Sequence, residues 1–229
     1  MMPKYVLLDM DTQRDFLDAE GNHPVLNREA LLPNLRKVFA MARAYHIPVV
    51  SAVDTHRTNE PFSDTPAHCV EGTCGQEKVK FSLLRNRAFV EANNTLDLPF
   101  NLWSQHRQII MRRRTTDFLG NPKADRLITE IKPKMFIAFG VGLERSIRRL
   151  TLALLGRGRR VAFIPEACGH WNEGEADLAQ RLLVAKGGVP IHFEQLNEIL
   201  KKTTKKRIQR VFSKPKQNGK ENTPRSLAG

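Results

Sequence analysis

The stretch KMFIAFGVGLERSIRRLTLALLG, Lys134 to Gly156, decides the fold. Its first seven residues, 134–140, are nearly all apolar and have the length of a strand buried on both faces. Gly140 and Gly142 then mark a turn, and apolar residues recur at helical spacing over about 143–156. A buried strand that turns sharply into a helix is half of a βαβ unit, which points to a parallel sheet with helices on its faces.

The same alternation recurs in both directions along the chain. KYVLLDM at 4–10 reads as a buried strand, and 26–45 reads as a helix with Leu31, Leu35, Val38, Phe39 and Ala42 on one side. IPVVSAV at 47–53 is a strand and 57–80 a long loop rich in Pro, Thr, Gly and Cys. QIIM at 108–111, RVAFIP at 160–165 and VPIHF at 189–193 are further strands, with a helix over about 173–186. The expected fold is α/β: a Rossmann-like three-layer sandwich around a mostly parallel sheet of about six strands. In such sheets ligands bind beyond the carboxyl ends of the strands, where the strand order reverses. Asp11, Asp54, Arg112, Arg113 and Ser146 each fall just after a strand end, so polar residues from four distant segments are expected to converge on one edge.

The 229 residues suffice for one domain with a sizeable core, expected over 1–200. Net charge is +13, but residues 201–229 hold ten Lys or Arg against one acid, Glu221, which leaves +4 for the rest. The high isoelectric point therefore describes a basic, disordered extension more than the body, and contact with nucleic acid or an acidic protein is assigned to that extension. Within it, KKTTKKRIQRVF at 201–212 is compatible with a helix bearing Ile208, Val211 and Phe212 on one side. No apolar run approaches the roughly 20 residues of a membrane span. MMPKYVLLDMD enters a strand directly, without a signal-peptide layout, and the three cysteines suit a reducing compartment, so a cytoplasmic protein is expected.

Four segments carry a resemblance. Asp11-Thr12-Gln13-Arg14-Asp15-Phe16 resembles a D-x-Q-x-D-F opening. Asp54-Thr55-His56 and Pro66-Ala67-His68-Cys69-Val70-Glu71-Gly72-Thr73 resemble D-x-H and P-x-H-C-x-x-G-T. Asp117, Asn121 and Pro122 match a third segment, and Gly140-Val141-Gly142-Leu143-Glu144-Arg145-Ser146 loosely matches G-V-x-T-x-x-C. In order and spacing these resemble the isochorismatase-like, nicotinamidase-type cysteine hydrolases over roughly residues 4–195. The resemblance implies an Asp–Lys–Cys triad in which the Asp takes the thiol proton and the thiolate attacks a carbonyl or imine carbon. It also implies a cis peptide at Val141–Gly142 that aims an oxyanion-binding N–H.

Two triad positions depart from that pattern. Ser146 stands at the nucleophile, and the lysine position is Arg112 or Arg113 depending on alignment. A hydroxyl is a far weaker acid than a thiol, and arginine does not give up its proton. The resemblance further implies a divalent ion, Zn, Fe or Mn, held by Asp54, His56 and His68. Phe62 stands where another His is expected, with Asp64 as a replacement. Asp9 is read as a partner for a basic residue, Asp15 as a loop-ordering residue, and His170 and Trp171 as pocket lining; His23, His46, His106 and His192 are read as surface or loop residues.

The expected function is a weak or inactive relative that binds a small carbonyl, amide or heteroaromatic ligand. One alternative is an active amidohydrolase using Ser146 or metal-bound water. Another is a non-enzymatic interaction module with a nucleic-acid-binding extension. Self-association is expected from the resemblance.

Overall fold

Seven strands form one wholly parallel sheet in the computed structural model, which describes residues 3–62, 65–91, 93, 95–99 and 101–212, with side chains through Lys202. The strands are β1 Tyr5–Met10, β2 Val49–Asp54, β3 Arg87–Val90, β4 Gln108–Arg113, β5 Met135–Val141, β6 Val161–Gly169 and β7 Val189–Pro190. Their order across the sheet is β3-β4-β2-β1-β5-β6-β7. The helices are α1 Arg14–Leu17, α2 Arg28–Ala44, α3 Leu102–Gln105, α4 Pro122–Glu130, α5 Arg148–Gly156, α6 Glu173–Ala185 and α7 Phe193–Phe212.

Alternation along β1 sets the layers. Val6, Leu8 and Met10 enter one core with Leu127 and Ile128 of α4, Leu150 and Leu154 of α5, and Ala179 and Leu183 of α6. Tyr5 and Leu7 enter the other, with Leu35, Val38 and Phe39 of α2 and Leu196 and Leu200 of α7. A strand buried on both faces has no solvent side, which is why β1, β2 and β5 read as mostly apolar runs without alternation. From β1 the chain crosses to β2 on one side, and it later returns to place β5 on the other. The order thus reverses at β1 and β5, and the crevice lies beyond their carboxyl ends.

The sheet has one strand more than expected. β3 was missed because it is a four-residue edge strand with only Val90 buried, so it lacks the apolar run of a central strand. β6 continues through Pro165 to Gly169, past the expected end at 165, because its register with β5 shifts between Ala138 and Gly140 and accommodates the proline at an irregularity. β7 is reduced to two residues of the expected five. The expected helix at 143–156 opens with a turn of π-helix, Leu143–Ile147, in which the Ile147 N–H donates to the Gly142 carbonyl at 3.0 Å. Asn121 and Pro122 have a local role: the Asn121 side chain accepts from the N–H groups of Lys123 and Ala124 and caps α4, with Pro122 in its first turn.

α7 runs on to Phe212, across the expected domain boundary at 200. Residues 213–229, expected to be disordered, lie outside the described residues, as does Asp64. No helix among the described residues is long and apolar enough to cross a membrane.

Candidate active site

Four neighbouring strands, β4, β2, β1 and β5, deliver the polar residues to one edge. Asp11 follows β1 in the left-handed region at φ 53°, held by its N–H to the Ala52 carbonyl at 3.0 Å. A branched or bulky residue would be costly there; aspartate tolerates it better. Gln13 then clamps the end of β2. Its Oε1 accepts from the Asp54 N–H at 2.7 Å and its Nε2 donates to the Asp54 carbonyl at 2.8 Å.

Asp11, Arg113 and Ser146 meet in the interior, 2%, 5% and 3% exposed. Arg113 forks onto Asp11: Nε donates to Oδ1 at 3.0 Å and Nη2 to Oδ2 at 2.5 Å. Its Nη1 donates to the Thr115 carbonyl at 2.6 Å and lies 3.2 Å from Asp54 Oδ1. The Ser146 hydroxyl lies 2.9 Å from Asp11 Oδ2 as donor. One guanidinium thus serves two buried carboxylates, and the two respond oppositely. Burial pushes Asp11 up, aided by the charge of Asp54, and Arg113 offsets only part of the rise. Burial also opposes the charge on Asp54, but Arg113, with His56 and His68 beside it, outweighs burial and holds that carboxyl below the usual range.

Of the two candidate arginines, only Arg113 reaches the cluster. Arg112 is a correction: successive residues of a strand face opposite sides, and Arg112 points outward to Glu91 at 3.0 Å, more than a third exposed. The Val141–Gly142 turn is a second correction. Every described peptide bond is trans, this one included. Gly142 makes the turn by adopting φ 82°, and a Cβ on it would lie 2.8 Å from Ser146 Oγ. The peptide turns its oxygen to the serine, with Ser146 Oγ 3.2 Å from the Val141 carbonyl, and commits its N–H to the Gly169 carbonyl at 2.9 Å. It presents an acceptor to Ser146, not the expected oxyanion donor.

Beside this cluster Asp54, His56 and His68 bring one donor atom each within 4.8 Å of one another. His56 Nε2 and His68 Nε2 lie 3.4 and 3.7 Å from Asp54 Oδ2. Two donors about 2.1 Å from one tetrahedral ion would stand about 3.4 Å apart, so the set fits a divalent metal. Both rings are oriented through their other nitrogen, His56 Nδ1 to Glu60 at 3.0 Å and His68 Nδ1 to the Pro66 carbonyl at 2.7 Å. His56 Nε2 is buried without a hydrogen-bond partner, an orphan that a metal would satisfy. Phe62 packs its ring on His56 and His68, at 4.7 and 5.2 Å, and contributes no donor. A cleft of about 590 Å³, lined by Arg57, Thr58, Asn59, Glu60, Glu71 and Arg114, opens beside Glu60.

Sequence reasoning missed an aromatic wall. His23, read as a surface or loop residue, lies parallel to Trp171 at 4.7 Å and 5.2 Å from His68, with Phe16 against both Trp171 and His68. The Trp171 indole N–H donates to the His23 carbonyl at 3.0 Å. The segments are 148 residues apart and share no periodicity, so no local signal links them. Glu144 was missed too: its buried carboxylate accepts from the N–H groups of Trp171 and Asn172 and ties the Ser146 turn to the loop after β6. Asp9 pairs with buried Lys78 at 2.7 Å and accepts from Ser51 at 2.6 Å beneath the site. Asp15 holds the Cys69 N–H at 2.6 Å. Cys69 and Cys168 are buried, and burial pushes both thiols far above the range in which a thiolate forms.

A pyrazinamidase from Pyrococcus horikoshii, solved in complex with zinc, superposes with a TM-score of 0.65 at 22% identity, covering 83% of this chain and all of its own. PnC1 from L. infantum, solved in complex with nicotinate, gives 0.66 at 18% identity, covering 84% of this chain and 94% of its own. An N-carbamoylsarcosine amidase from Thermoplasma acidophilum gives 0.62 at 16% identity, covering 82% of this chain and 96% of its own. At these identities the likeness establishes the fold alone. No curated protein matches the sequence. The isochorismatase-domain family model matches residues 5–195, so the chain belongs to the isochorismatase family.

Proposed function

We propose that this chain binds a small planar carbonyl, amide or heteroaromatic ligand at the carboxyl end of its sheet and has lost hydrolysis by the family's cysteine route. The supporting observation is the closed network of Arg113, Asp11 and Ser146. Asp11 does accept from the Ser146 hydroxyl, but its charge is shared with a guanidinium that does not give up its proton, and the proton it would have to remove belongs to an alcohol, several pKa units weaker than a thiol. The Val141 carbonyl beside Ser146 adds an acceptor where a developing oxyanion needs a donor. What stays suited to binding is the stacked, half-buried pair of His23 and Trp171, backed by buried Phe16 and His68, which suits a flat ligand.

The test is ammonia release from nicotinamide and pyrazinamide. The wild type is expected to release none above background, and Ser146→Cys with Arg113→Lys to gain a measurable rate. Wild-type turnover that disappears in Ser146→Ala would overturn the proposal.

A second reading rests on the orphaned Nε2 of His56. Asp54, His56 and His68 would hold a divalent ion with an open coordination position, and such an ion supplies Lewis-acid polarisation of a carbonyl. Turnover that survives Ser146→Ala but is lost with His68→Ala would favour this reading. Self-association is supported by the apolar outer face of α6 and β7, where Leu178, Leu182, Val184 and Val189 are 38–59% exposed; sedimentation tests it. A cytoplasmic location is supported by three free cysteines, two of them buried.

A further inference from the structure

We propose that the amino-terminal edge of the sheet, opposite the site, is a binding face for the phosphate backbone of duplex nucleic acid. The segments that lead into the strands bring cations side by side. The Lys134 N–H donates to the Lys4 carbonyl at 2.8 Å, and the Phe136 N–H to the Arg160 carbonyl at 2.9 Å, which sets Lys4, Lys134 and Arg160 on three adjacent strand entries. On the other wing the Arg107 N–H donates to the Asn86 carbonyl and the Val49 N–H to the Arg107 carbonyl, both at 2.9 Å. Arg107 therefore sits between the entries to β3 and β2, and Arg85 and Arg87 flank its partner Asn86 in sequence. Lys186 precedes β7. All of these side chains are exposed.

The charges on this edge are of one sign and mostly unanswered. Among the described residues Lys4, Arg85, Arg107, Lys134, Arg160 and Lys186 have no ion-pair partner. Acids on the flanking helices are already taken, Asp125 by Arg157 and Glu130 by Arg126 on α4, and Glu198 by Lys202 on α7. Compensation of helix dipoles explains a cation in or just after the last turn of α4, α5 and α6, where Lys132, Arg157 and Lys186 stand. It leaves the cations that enter strands, Lys4, Arg85, Arg107, Lys134 and Arg160, without a local purpose.

Seven strands about 4.8 Å apart make a row about 29 Å long, the length of eight or nine base pairs at about 3.4 Å each. α7 adds to the row. The Tyr45 hydroxyl donates to Asn197 at 2.6 Å, beside the entry to β2, and exposed Lys201 and Lys202 follow about one turn on, Lys202 beside Glu198 at 3.5 Å. The aromatic residues along it, Tyr45 and Trp103, are half-buried, which favours contact with phosphates over base stacking on a single strand.

The experiment is fluorescence-anisotropy titration of the full chain with an arbitrary duplex of about 20 base pairs, from about 50 to about 200 mM salt. Affinity is expected to fall linearly with salt on logarithmic axes. The combined variant Lys4→Gln, Arg107→Gln, Lys134→Gln and Arg160→Gln is expected to bind at least about tenfold more weakly, with a slope shallower by about 2–3. The charge-preserving set Lys4→Arg, Arg107→Lys, Lys134→Arg and Arg160→Lys is expected to retain binding, with thermal unfolding unchanged in both. Absence of duplex binding at the low salt would overturn the proposal. So would a Gln variant that binds as the wild type, with loss only on Lys201→Gln and Lys202→Gln. A preference for polyglutamate or phosphatidylserine vesicles over the duplex would overturn it as well.

Discussion

At the carboxyl end of the sheet Asp11, Asp54 and Arg113 are each 6% exposed or less and answer one another, whereas at the amino end Lys134 and Arg160 stand in solvent with no acid beside them. One sheet carries both arrangements at its two ends. Water makes the difference: a charge removed from it must find an opposite charge and hydrogen bonds, while a charge left in it can remain alone at little cost. The first arrangement fixes geometry and is sensitive to any single deletion. The second tolerates deletion and responds to salt.

The largest expected effect breaks the buried arrangement. Arg113→Ala strands two carboxylates in the interior and is expected to cost about 3–5 kcal/mol in denaturant unfolding. A loss under about 1 kcal/mol would mean that the interior sustains unpaired charge, and the contrast between the two ends would fail. Next, zinc or manganese at about a hundred times its dissociation constant is expected to stabilise the chain by about 2.7 kcal/mol, an increase absent in His68→Ala. Gly142→Ala forces a Cβ into the left-handed region and onto the serine oxygen. It is expected to cost about 1–3 kcal/mol, with partial relief when Ser146→Gly is added.

A pH scan of the metal-free protein sharpens the comparison. Burial, reinforced by the charges of His68 and Arg145, pushes His23 down to about 4 from 6.5. The folded chain therefore holds this ring neutral while the unfolded chain takes up a proton. The stability it supports is complete above the unfolded value and falls as pH drops from 6.5 toward 4, and His23→Gln is expected to flatten that limb. The smallest effect belongs to the exposed end: Lys134→Gln and Arg160→Gln are each expected to change stability by less than about 0.5 kcal/mol.

What was legible in the sequence follows the same divide. β1, β2 and β5 announced themselves because strands buried on both faces are mostly apolar, and Asp11, Asp54 and Ser146 could be placed because they lie at or shortly after the ends of such strands. β3 could not, since an edge strand with one buried residue has no pattern to offer. The choice between Arg112 and Arg113 turned on which face each takes at the end of β4, and adjacent residues of one type do not reveal that parity. The direction of the Val141–Gly142 peptide is likewise set by its partners, Ser146 and Gly169, not by its own two residues. The stack of His23 on Trp171 joins loops that only the folded sheet brings together.

Asp54 belongs to both halves of the site, with one oxygen toward Arg113 and the other toward His56 and His68. The consequence is thermodynamic reciprocity. A ligand that draws the guanidinium away from this carboxylate changes the affinity of the histidine side for a cation, and a cation bound there changes the ligand's affinity by the same factor.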